Sequence, residues 1–162
     1  MGKFDMLVFR KFTSALLCVS CVIFAGSALA KKAWVVGQSV PLSGANANFG
    51  RDIRDGVLAY FKSVNAKGGV AGMPIELVSL DDQNQRKVPG TNTQKLLDNN
   101  GAVALFGFAS ATLSLDAMPQ AEKAGVLFFA PFSGADPVRK VSLVVFTLRA
   151  SYVDELEKML AF

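Results

Sequence analysis

Apolar residues along this chain alternate between two spacings. Over residues 33–40 (AWVVGQSV) they run almost unbroken, which predicts a strand buried on both faces. Pro41-Leu42-Ser43-Gly44 breaks that run. Over residues 51–66 the apolar positions are Ile53, Val57, Tyr60, Phe61 and Val64, a spacing that marks one face of a helix. Lys67-Gly68-Gly69 ends this helix, with glycine where a left-handed residue is wanted. Residues 75–80 read as a second strand closing on Asp81-Asp82. A helix follows from Pro89 to about Asn99, with Leu96 and Leu97 inward. Residues 102–106 form the third predicted strand, and the loop 107–112 opens a helix reaching about Ala124. Residues 126–130 are the fourth strand, 131–137 a loop, and 141–148 the fifth strand. Ser151 begins a last helix, with Asp154 three residues on completing a capping box.

Strands alternating with helices of this length predict an α/β fold. Its sheet is doubly wound and mostly parallel, in flavodoxin-like order. The final helix stops on Leu160-Ala161-Phe162 with no following strand, so residues 31–162 are expected to be one lobe of a larger architecture.

The first thirty residues follow a different rule. Lys3, Arg10 and Lys11 precede an apolar run over residues 12–25, and Ala28-Leu29-Ala30 places small residues where a signal peptidase reads them. Residues 1–30 are therefore read as a cleaved export signal, with the mature chain starting at Lys31. The run is shorter than the roughly 20 residues that span a bilayer, which argues against a retained anchor. Both cysteines, Cys18 and Cys21, lie in this segment. Cys21 as a lipid-attachment site is disfavoured by Val22-Ile23-Phe24, which continue the apolar run past it. Cleavage would leave a chain without disulfides, thiolate metal sites or a cysteine nucleophile. It would also lower the net charge from +4 to about +2. Those charges are mixed along the chain, so no nucleic-acid surface is expected. The chain has no histidine, which removes the Ser-His-Asp mechanism and the commonest general base. An enzyme is not the expected reading.

In an open α/β sheet, ligands bind at the carboxyl ends of the strands where strand order reverses. Four loops occupy those ends: 41–50, the stretch after Asp81-Asp82, 107–112 and 131–136. Helix starts there offer free backbone N–H groups to a carboxylate or phosphate, and Ser110, Thr112 and Ser133 could add hydroxyls. Caps and turns alone would favour the same residue types, and both readings stand. Asp81-Asp82 could hold a metal, but is read as a solvated or helix-capping pair. Trp34 and Phe106 are read as core. Phe49 is either an aromatic wall for a ligand or packing at the sheet edge.

The stretch from Val36 to Gln83 resembles the opening of the leucine/isoleucine/valine-binding family of type I periplasmic binding proteins, within a resemblance that spans Val35 to Tyr152. The shared elements are the Pro-Leu-Ser-Gly loop, Asn65-Ala66-Lys67-Gly68-Gly69 at a helix end, and a strand closing on Asp81-Asp82. Downstream, Gly107-Phe108-Ala109-Ser110-Ala111-Thr112 and Ala130-Pro131-Phe132-Ser133-Gly134-Ala135 resemble that family's two ligand loops. The resemblance implies one lobe of a two-lobed periplasmic protein, with the second lobe absent here. It implies binding of an amino acid or similar small carboxylate and delivery to the membrane subunits of an ABC permease, with no cofactor. By the same resemblance Ser43, Phe49, Ser110, Ala111, Thr112, Pro131, Phe132, Ser133 and Gly134 would contact the ligand. A sensor domain of a signalling receptor with this fold, or an inactive truncated product, are the competing expectations.

Overall fold

A computed structural model describes residues 32–161; the predicted export signal lies outside the described residues. The elements, in chain order, are β1 (Trp34–Val40), α1 (Ala47–Ala66), β2 (Ile75–Asp81), α2 (Val88–Asp98), β3 (Ala104–Phe106), α3 (Ala111–Ala124), β4 (Leu127–Phe129), a 3-10 turn (Asp136–Arg139), β5 (Val145–Phe146) and α4 (Tyr152–Leu160). Every strand pair is parallel, in the order β2-β1-β3-β4-β5, so strand order reverses between β1 and β3 as expected. Among the described residues, no helix is long and apolar enough to cross a membrane.

The two faces of the sheet are filled unequally. Residues on β1 alternate between them. A Cβ at Gly37 would meet Leu96 and Leu105, on the α2 and α3 side, whereas Val36 faces α1. The packed core lies on the first side, where Leu96, Leu105, Phe128 and Val138 are fully buried and Phe108 stacks at 4.7 Å from Phe128. On the other side the predicted stripe of α1, Ile53, Val57, Tyr60 and Phe61, does turn toward the sheet. It does not close on it, and a groove of about 900 Å³ remains between α1 and strands β1, β3 and β4. Phe106 lies on this open side, 5.8 Å from Phe129, and not in the core. Trp34 is half-buried and donates its indole N–H to the Val70 carbonyl, fixing the turn before β2.

Two boundaries differ from the sequence reading. Helix α1 begins four residues early and takes in Asn48, Phe49 and Gly50. Gly50 does not break the chain there; it lets the helix cross the first loop. A Cβ on Gly50 would lie 1.9 Å from the Pro41 carbonyl oxygen, a separation no side chain permits. Strand β5 shrinks to two residues, paired only with Phe128 and Phe129. Val141 and Leu143 are apolar but almost fully exposed at this sheet edge.

The candidate ligand site at the strand ends

The four loops predicted to line the site are tied to one another. Asp81, at the end of β2, accepts hydrogen bonds from the Leu42 amide at 2.8 Å, the Gln83 amide at 2.9 Å and the Ser43 hydroxyl at 2.5 Å. Partial burial pushes the Asp81 carboxyl up, but these donors outweigh it and hold it below its ordinary value. Asp82 is fully buried, accepting from the Ser39 hydroxyl and the Asn84 amide. Burial pushes its carboxyl up, those bonds oppose the shift and Asp81 adds to it. Asp82 is thus buried while Asp81 stays partly exposed, and together they anchor the first two loops rather than cap a helix. No cluster fit to hold a metal occurs among the described residues.

The loops after β3 and β4 are neighbours. The Gly107 amide donates to the Phe129 carbonyl at 3.1 Å and the Phe132 amide to the Phe108 carbonyl at 2.8 Å. Both turn away from the sheet through left-handed residues, Gly107 and Ala130. Ser110 caps α3, its hydroxyl oxygen accepting from the Leu113 amide at 3.3 Å. The N–H groups of Ala111 and Thr112 belong to the helix start and have no intrahelical acceptor. They and the positive end of the helix dipole face the reversal point between β1 and β3.

The first and fourth loops meet through aromatic side chains. Phe49 and Phe132 are each nearly half exposed and pack edge to face at 5.3 Å. Pro131, Ser133 and Gly134 are buried. Ser133 accepts from the Ala135 amide at 3.1 Å and touches the Tyr152 hydroxyl at 3.3 Å. Gly134 lies under the Tyr152 ring. Of the nine predicted residues, Phe49, Phe132 and the Ser110-Ala111-Thr112 helix start therefore border open space. Ser43 is exposed but committed to Asp81, and Ser133 and Gly134 face the start of α4.

With this geometry, the comparisons decide the family. The sequence model of the periplasmic binding protein family matches residues 33–162. The chain belongs to that family. An amino acid binding protein of Pseudomonas aeruginosa is 32% identical over 126 residues, covering 78% of this chain and 33% of the relative. A Leu/Ile/Val-binding protein homolog of Brucella abortus is 34% identical over 97 residues, covering 60% of this chain and 26% of the relative. Among solved structures, a possible leucine/isoleucine/valine-binding protein from Rhodopirellula baltica superposes with a TM-score of 0.77 at 30% identity, covering 84% of this chain and 37% of that one. The branched-chain amino acid transporter substrate-binding protein of Streptococcus pneumoniae, solved with isoleucine, gives 0.70 at 26% identity, covering 74% and 34%. The chain thus spans about a third of the length of these periplasmic binding proteins, the extent of one lobe.

The sequence reading missed three residues at the site. Arg149 pairs with both oxygens of Glu155 at 2.8 and 2.9 Å, lies 5.0 Å from the Tyr152 ring centre, and reaches the Phe132 carbonyl at 3.4 Å. Tyr152 joins it through Ser133. Their partners lie up to 19 residues away, and no local pattern announces them. Gln38 is fully buried on β1 with its amide nitrogen unpartnered, close to where a Gly107 Cβ would stand. A lone glutamine inside an apolar strand was the available signal.

Proposed function

We propose that this lobe grips the carboxylate end of an amino acid or similar small carboxylate, as part of an exported solute-binding protein serving an ABC permease. The observation that carries the reading is the start of α3. It is a capped helix N-terminus with the Ala111 and Thr112 amides at the strand-order reversal, a ready anion site. The Phe49–Phe132 pair beside it offers apolar cover for a side chain. Pro131, Ser133 and Gly134 shape the fourth loop and present its main chain. Ser43 holds the first loop in place through Asp81. The names of the relatives, amino acid binding and Leu/Ile/Val-binding, agree with this chemistry. An export signal over residues 1–30 would put the chain in the periplasm, where a permease collects its solutes.

Calorimetric titration of the full chain with leucine and with leucinamide tests the reading. A ligand held half in solvent lacks one charged hydrogen-bond partner, so affinity is expected to be weak. It is expected to fall by at least about tenfold when the carboxylate becomes an amide, as loss of a charged hydrogen bond implies. Equal binding of acid and amide would remove the anion site from the α3 start.

A further inference from the structure

Gln38 is the polar side chain at the sheet reversal that the proposed binding leaves unused. It is fully buried, and its two ends have different surroundings. Gln38 is opposite Ser79 in the β1–β2 register, and the Ser79 hydroxyl donates to Gln38 Oε1 at 2.9 Å. Pairing of β1 with β3 stops one residue earlier, at Gly37 and Leu105. Strand β3 stays with β4 through Phe106, and the chain then turns off at Gly107, with φ at 66°. Gln38 therefore stands where β1 and β3 part, the place where an open α/β sheet takes its ligand. Its amide lies crosswise there, oxygen on the β2 side and nitrogen under the Gly107 turn. The nitrogen is 3.2 Å from where a Gly107 Cβ would stand, and it has no hydrogen-bond partner among the described residues.

A buried N–H without an acceptor is costly, so its presence asks for a reason. The neighbours of Gln38 on the same face of β1 are Val36 and Val40, and a third aliphatic residue would fill the space without that cost. What an aliphatic residue lacks is a dipole. The Gln38 amide is fixed at its negative end by Ser79, and its positive end is open toward the loop 107–112. Burial keeps water from cancelling it. That loop leads into the Ala111 and Thr112 amides, so the Gln38 dipole and the α3 dipole both present positive ends at the reversal between β1 and β3.

We infer that Gln38, oriented by Ser79, is a specificity-determining residue of the site: it favours an anionic ligand group over a neutral one without touching it. The inference rests on the reading of the α3 start as the carboxylate site. Gly107 serves the arrangement twice. It takes the left-handed turn that separates β3 from β1, and it leaves room for the amide beneath it, where a side chain would press on Nε2. Ser79 acts only through Gln38, by keeping the amide from turning its oxygen toward the loop.

The test is the ratio of leucine to leucinamide affinity, measured by calorimetric titration of the full chain and two variants. Gln38→Met keeps the shape of the side chain and removes the dipole. It should lower leucine affinity about two- to fivefold, the effect of a helix-end dipole on a charge, and leave leucinamide affinity unchanged. Ser79→Ala, at a half-buried position, should shift the ratio in the same direction by releasing the amide. In urea melts Gln38→Met should be at least as stable as the wild type, because an unpaired buried N–H is gone. Loss of leucine and leucinamide affinity together, with lowered stability, would make Gln38 a packing residue and overturn the inference. An unchanged ratio in either folded variant would overturn it too, while leaving the carboxylate site standing. Equal binding of acid and amide by the wild-type chain, or no saturable binding of either, would remove that site and this inference with it.

Discussion

Asp81 and Asp82 are adjacent carboxylates with opposite environments, and they should respond oppositely to change. The pKa of Asp81 in the folded chain lies below its ordinary value of 3.8, because its hydrogen bonds outweigh its burial. Its stabilisation is therefore present above that value and is lost as pH falls through the folded-state pKa. The pKa of Asp82 lies above 3.8, so its contribution is fullest below that value and is lost as pH rises through the raised one. At neutral pH, Asp81→Ala should cost on the order of 1–2 kcal/mol by freeing the Ser43 loop, the modest figure reflecting a carboxylate only partly buried. Asp82→Asn should instead leave stability equal or higher at pH 7 and flatten its decline as pH rises through the raised Asp82 pKa. Urea melts from pH 3 to 8 compare the two. A loss on Asp82→Asn at pH 7 would contradict the sign. The sequence showed that two acids end a strand. Their opposite roles depend on Leu42, Ser43 and Ser39, some 40 residues away in the chain.

At the scale of elements, α4 depends on its cap. Ser151 and Asp154 form the reciprocal capping box that their spacing predicted, with both bonds at 3.0 Å. None of its residues is buried, and beyond the cap it is held only at its start, by the Arg149–Glu155 pair and the bond from the Tyr152 amide to the Gly134 carbonyl. Ser151→Ala should cost about 1 kcal/mol. The effect should be local: α4 amides should exchange faster with deuterium while those of β1 and β3 keep their protection. Slowed exchange across the whole sheet would mean α4 supports the body in a way its exposure does not suggest. The strands and helices were legible because unbroken apolar runs and helical stripes are signals carried by neighbouring residues. The start of α1 was not, since Gly50 reads as a breaker unless the Pro41 carbonyl beneath it is known. The length of β5 was not legible either. Val141 and Leu143 have the composition of a strand, but sit at an edge with one partner strand and no cover.

At the scale of the whole molecule, strand order made the candidate site readable in outline. A reversal between β1 and β3 gathers the loops after β1, β2, β3 and β4 at one end of the sheet, and all nine predicted residues come from three of them. Which of those residues keep free surface was set by packing. Phe132 and Ser133 are adjacent in sequence, yet one is 45% and the other 3% exposed. The export reading adds a prediction at this scale. The protein recovered from outside the cytoplasm should begin at Lys31 or within about two residues of it. N-terminal sequencing decides this, and a mature form retaining residues 12–25 would favour a tethered receptor.

The crossing of α1 over Pro41 has a genetic consequence. Any amino-acid substitution at position 50 adds a carbon where the Pro41 carbonyl already stands, whatever the chemistry of the new side chain. The helix would have to lift, carrying Phe49 away from Phe132 and opening the aromatic cover of the site. Position 50 is therefore closed to drift by shape alone. Six residues further along the same helix, a Cβ at Gly56 would meet nothing within 4 Å among the described residues, so shape leaves that position open.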